Sequence, residues 1–175
     1  MDDNKKVLIK NLMRHEVGFG CENHLQRFNL QPGATIPVKW EYLQDAGFSH
    51  GFRYLIENSY LKILPTNEDY NEIMDELQFT HLAEKGIEKA MSYDEIKKLL
   101  STVPLVTQYA VIKEKLAKGS EATKKNFANA AIEIKMKDYA MNEAILQATG
   151  IDVMKTLKLQ EKPNIKQDSG EPPLE

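Results

Sequence analysis

The chain has 175 residues, 42% apolar and 28% charged, with a formal net charge of -3; this composition suits a folded protein with a real core and gives no overall attraction to nucleic acid or acidic membranes. Its single cysteine, Cys21, excludes an internal disulfide framework. No apolar run approaches the roughly 20 residues needed to cross a bilayer, and the opening MDDNKKVLIKNLMRHE is acidic where an export signal is basic, so an intracellular protein with neither export signal nor anchor is expected.

Residues 1–65 carry short apolar bursts separated by turn signals, which is the strand signature. KVLIKNL (Lys6 to Leu12) predicts a strand. LQRFNL (Leu25 to Leu30) predicts another, with Phe28 and Leu30 inward and Leu25, Arg27 and Asn29 on the opposite face. In QPGATIPV a Pro-Gly turn leads into a short extended segment. KWEYLQDAG and HGFRYLIENS predict short helices, the first closed by Gly47 as a C-terminal glycine, and YLKIL (Tyr60 to Leu64) predicts a closing strand before Pro65.

Beyond Pro65 the apolar spacing becomes helical. Ile73, Met74 and Leu77 mark an acidic amphipathic helix starting near Glu68. SYDEIKKLL opens with a capping box, in which Ser92 and Glu95 each satisfy the other's backbone N–H, and predicts a helix over Tyr93 to Leu100. Pro104 fits the first turn of the next helix, which runs to Lys118 and stops at Gly119. Ser120 caps a long helix from Glu121 to Ala148 with Phe127, Ala130, Ala131, Ile134, Tyr139 and Ile145 as its buried stripe; Gly150 ends it. Thr149 and Asp152 form a second capping box for a last helix, Ile151 to Leu159. The segment from Glu161, EKPNIKQDSGEPPLE, is polar and proline-rich and is expected to be a disordered tail. The expectation is therefore an α+β protein: a β-rich module over 1–65, a helical region over 66–160 and a tail over 161–175.

Candidate chemistry concentrates between Arg14 and Thr35. His15, Cys21 and His24 supply only one Cys/His pair at close spacing, and zinc needs a second, so no metal site is expected. Gly18-Phe19-Gly20 lacks the GK[ST] or third glycine of a phosphate loop. These glycines are expected to adopt positive backbone angles in a turn or bulge around Phe19. Cys21 lacks a catalytic signature around it. Neither an enzymatic activity nor a cofactor is expected. The aromatics of the first 65 residues exceed what so small a core needs, and Tyr, Trp and Arg are favoured interface anchors, so Phe19, Arg27, Trp40 and Phe52 are candidate protein-contact residues. The chain is acidic from Asn67 to Glu95 and lysine-rich from Lys113 onward. Within TGIDVMKTLK and the preceding helix, Lys124, Lys125, Lys155 and Lys158 are candidate nucleic-acid contacts under the alternative of a small nucleic-acid-binding protein.

One resemblance covers the first 65 residues. The order of a strand ending in Asn11, a glycine-bearing hairpin, LQPG (Leu30 to Gly33), IPV (Ile36 to Val38), a short helix and the closing YLKIL resembles the small β modules at the front of accessory virion proteins of tailed bacteriophages. SYDEIKKLL is similar to the opening of the short helix-extended-loop-helix segments of some phage proteins, a similarity that ends at Leu100. The resemblance implies a structural particle component, found in the virion and in the host cytoplasm before assembly. It would bind other virion proteins and copies of itself, and the resemblance carries over no catalytic residue.

Overall fold

A computed structural model describes residues 4–84, 90–102 and 105–161. Five strands, β1 (Lys6–Asn11), β2 (Val17–Cys21), β3 (Gln26–Leu30), β4 (Thr35–Lys39) and β5 (Leu61–Ile63), lie in the first part of the chain, interrupted by α1 (Trp40–Gly47) and α2 (His50–Glu57). The helices that follow are α3 (Tyr70–Glu76), α4 (Thr80–Glu84), α5 (Tyr93–Thr102), α6 (Leu105–Lys118), α7 (Glu121–Glu133), α8 (Tyr139–Thr149) and α9 (Val153–Glu161). The protein is α+β, as the apolar spacing predicts.

Period two in β1 turns Val7, Ile9 and Asn11 inward and makes β1 the centre of an antiparallel β4-β1-β5 sheet, with Val7 opposite Val38 and Ile9 opposite both Ile36 and Ile63. β2 and β3 form a separate antiparallel hairpin in which Phe19 faces Phe28. Two buried clusters result. The first joins the strands to α1, α2, α3 and α4 and continues beyond Pro65 through Ile73, Met74, Leu77, Phe79 and Leu82. The second lies among α5 to α9, around Ile96, Ile112, Phe127, Met141 and Ile145. Their junction is hydrogen-bonded: the Leu12 carbonyl accepts from both the Tyr93 N–H (2.8 Å) and Asn126 Nδ2 (3.1 Å).

Several local expectations change. Gly18 and Gly20 are outward positions of a regular strand, not a turn; the turn is at 22–25, where Leu25 takes φ +51°. Gly47 does not close α1 in a left-handed conformation. It is buried where a Cβ would lie 2.6 Å from Leu77 Cδ2, so the glycine permits close approach of α3. The long helix divides into α7 and α8, because Lys135 turns to φ +52°, Asp138 accepts from the Met141 N–H, and Asn142 Nδ2 donates to the Met136 carbonyl. That break leaves Tyr139 exposed, outside the stripe.

The caps divide in the same way. Ser92 and Glu95 form the expected box, and Ser120 caps α7. Asp152 caps α9 through the Lys155 N–H, whereas Thr149 bonds back to the Ile145 carbonyl and belongs to α8. Pro104 and the tail after Glu161 lie outside the described residues.

Candidate docking cleft

The hairpin turn is pinned by one carboxylate. Asp45 at the end of α1 accepts from the backbone N–H of Asn23 (2.9 Å), from Asn23 Nδ2 (2.6 Å) and pairs with His24 Nδ1 (3.1 Å). Burial pushes the Asp45 carboxyl up, but the bonds from His24 and Asn23 outweigh it and hold the group below its ordinary value. So tethered, the hairpin stands beside α2, whose first turn is capped by Ser49 accepting from the Phe52 N–H. Between them lies an open cleft of about 800 Å³.

Phe19 and Phe52 are buried at its base with ring centroids 4.8 Å apart, and Phe28 stacks on Phe19 at 5.2 Å. Leu25, 94% exposed, and Tyr54, 49% exposed, stand on its rim with Arg27 and His50. Of the four candidate contact residues, Phe19, Arg27 and Phe52 therefore come together, though only Arg27 is exposed. Trp40 is a buried core residue that does not line the cleft. As open contact surface Phe19, Trp40 and Phe52 are corrected to core: Phe19 shares the inward face of β2 with Val17 and Cys21, and Trp40 and Phe52 face inward from their helices. Leu25 and Tyr54 replace them at the surface, and only the outward parity of Leu25 was a signal for either.

Cys21 is buried where it sits. Burial, then the nearby Asp45 charge, pushes its thiol up to about 11, and Sγ lies 3.1 Å from the Tyr42 carbonyl. We expect Cys21 to react with a thiol-specific disulfide reagent at neutral pH only after unfolding; rapid reaction of the folded protein would show the thiol to be accessible. His24 is held by Asp45, and His15 is exposed. No group of three His, Cys, Asp or Glu residues among the described residues could hold a metal ion. No helix among them is long and apolar enough to cross a membrane.

A second polar grouping occupies the junction of the two cores. Tyr93 Oη donates to one Glu133 oxygen, Lys97 Nζ binds the other, and Arg14 stands beside them. Burial first, then the Glu133 carboxylate, pushes the Tyr93 phenol up to about 12, with Arg14 opposing. Because this pKa is raised, the stability it contributes is complete below the ordinary tyrosine value of 10 and is lost as the pH rises through about 12. Burial also raises the Tyr60 phenol, so an ultraviolet phenolate titration should show a late-ionising component of which only the Tyr93 part moves back toward 10 in Glu133→Gln.

Lys124 and Lys125 lie in the first turns of α7, Lys124 paired with Glu121 at 3.0 Å, and Lys155 and Lys158 are exposed on α9, which packs on α7. If these four lysines are a phosphate-binding face, duplex DNA at about 50 mM salt should be retained by the wild type and released when they are neutralised.

Fold and cleft define an α+β protein whose β-hairpin and short helix flank an open groove. No family model, no curated protein and no solved structure matches the chain.

Proposed function

We propose that this chain is a non-enzymatic interaction protein that docks on another protein through the hairpin–α2 cleft. The observation that carries the reading is the grouping at that cleft: an exposed aliphatic residue (Leu25), a half-exposed aromatic (Tyr54) and Arg27 over an aromatic base. Rigid aromatic and arginine anchors around a concave apolar site are the composition of binding hot spots. The resemblance of residues 1–65 to front modules of accessory virion proteins supports a more specific form of it. In that form the partners are other proteins of a tailed-phage particle and further copies of this chain, and the protein belongs to the virion.

The decisive experiment places a photo-crosslinking amino acid at Leu25, and, as a control, at the exposed Tyr139 of α8, which does not line the cleft, in cells that produce the protein. A discrete, saturable adduct at position 25 and none at 139 is expected. Equal labelling at both positions, or none at 25, would remove the docking reading. Co-sedimentation of the protein with purified particles tests the virion form separately, and light scattering tests self-association.

A further inference from the structure

Resting on the docking reading, we infer that the free edge of β2 receives an extended, acidic and apolar segment of the partner protein as a third strand of the hairpin sheet. The first observation is open backbone. β2 pairs only with β3, and among the described residues no group bonds to the N–H and C=O of β2 that point away from β3. In an antiparallel pair these are the backbone groups of every second residue, already spaced to accept another strand.

The second observation is that this edge lacks the protection the other edges carry. β4 has Pro37 and Lys39, β5 is three residues long and carries Lys62, and β3 carries Arg27 among Gln26 and Asn29. Prolines, charges and shortness are the usual means by which sheet edges avoid pairing. β2 is Val-Gly-Phe-Gly-Cys, without charge or proline, and its outward positions are glycines that project nothing into the path of an incoming strand. A Cβ at Gly20 would meet nothing nearer than the Gln26 carbonyl at 3.9 Å.

Space and charge choose the occupant. The cleft of about 800 Å³ separates β2 from α2 and is of the size that holds a bound segment, with Phe19 and Phe52 beneath to meet its alternate side chains. Arg27, across the ladder from Gly20, is exposed and in no ion pair among the described residues. His50 is on the same rim, with Glu22 the one acidic residue of the lining. A second copy of β2 suits the site poorly, since symmetric pairing would bring an uncharged strand flanked by another Arg27.

The test titrates the full-length protein with a capped peptide alternating valine and aspartate, and with its valine–lysine counterpart, following amide hydrogen exchange by NMR. We expect the aspartate peptide to bind about tenfold more tightly than the lysine peptide and to slow exchange at alternate β2 amides. Arg27→Glu, on an exposed side chain, should reverse the preference. Binding without slowed β2 amides overturns strand addition, and equal binding of the two peptides overturns the acidic occupant. A dimer whose β2 amides are protected without peptide replaces the partner segment by a second copy. If neither peptide binds while the position-25 adduct forms, strand addition fails and the docking reading survives. If the adduct is also missing, the docking reading itself has failed.

Discussion

Asn11→Leu should destabilise the protein by about 4 kcal/mol, a large fraction of the 5–15 kcal/mol typical of a folded domain. Asn11 is fully buried at the end of β1, where the chain passes from the three-stranded sheet toward the hairpin. Its Nδ2 donates to the carbonyls of His15 (2.8 Å), Leu30 (2.9 Å) and Gln31 (3.1 Å), and its Oδ1 accepts from the Met13 N–H (2.8 Å). One amide thus holds the start of β2 and the end of β3 against β1. Leucine fills about the same volume but removes these bonds: the Gln31 carbonyl keeps the Ala34 N–H (3.0 Å), whereas the buried Met13 N–H and Leu30 carbonyl lose this side-chain partner, each at about 1–3 kcal/mol. Alanine leaves a polar cavity that a water can enter and should cost less, about 2–3 kcal/mol. Aspartate keeps the acceptor for Met13 but points a carboxylate at three carbonyls, so Asn11→Asp should be no better than the leucine variant. Urea unfolding measures all three, and a leucine variant within about 1 kcal/mol of wild type would show that water already satisfies the site.

Nothing local distinguishes Asn11 in the sequence, whereas the strand carrying it is plain. Val7, Leu8 and Ile9 form a short apolar run between Lys6 and Lys10, and Ser92 and Glu95 stand at the one spacing that closes a capping box. Such features need only neighbouring residues. The break between α7 and α8 is different, because residues 134–138 contain neither glycine nor proline. There the chain leaves the helix because Met136 becomes buried and its carbonyl is taken by Asn142 from the next helix. Pro65 likewise is a real local stop, but membership of a core is non-local, and Ile73 to Leu82 pack back onto the strands.

The site was legible by half. Aromatic abundance pointed to the region that holds the candidate cleft, and period two alone places Phe19 on the face of Val17 and Cys21, which makes it base rather than rim. That α2 stands apart from the β2 edge depends on the turn at 48–49 and on Asp45 tethering the hairpin. Neither relation has a spacing that the sequence displays.

Phe52→Ala should cost about 3–5 kcal/mol, the range for removing a fully buried aromatic ring. The Phe52 ring links Phe19 at 4.8 Å to Phe79 at 6.4 Å, and Arg53 lies over the Phe79 ring, 4.7 Å from its centroid, while donating to the Gly47 and Leu77 carbonyls. Losing the ring therefore opens the cleft base and loosens the contact of α2 with the hairpin and with the end of α3. Phe52→Leu refills most of the volume and should cost about 1.5 kcal/mol or less. Two residues along the same helix, Tyr54→Ala should cost no more than about 1 kcal/mol, since its ring is half in solvent and its ring contact is with the half-buried Tyr60, 5.9 Å away. The docking reading nonetheless requires Tyr54→Ala to weaken partner capture at position 25, and Phe52→Leu to leave it largely intact. Stability and capture should thus separate between two neighbours on one helix. If instead capture tracks stability across these variants, the cleft is acting only as part of the core.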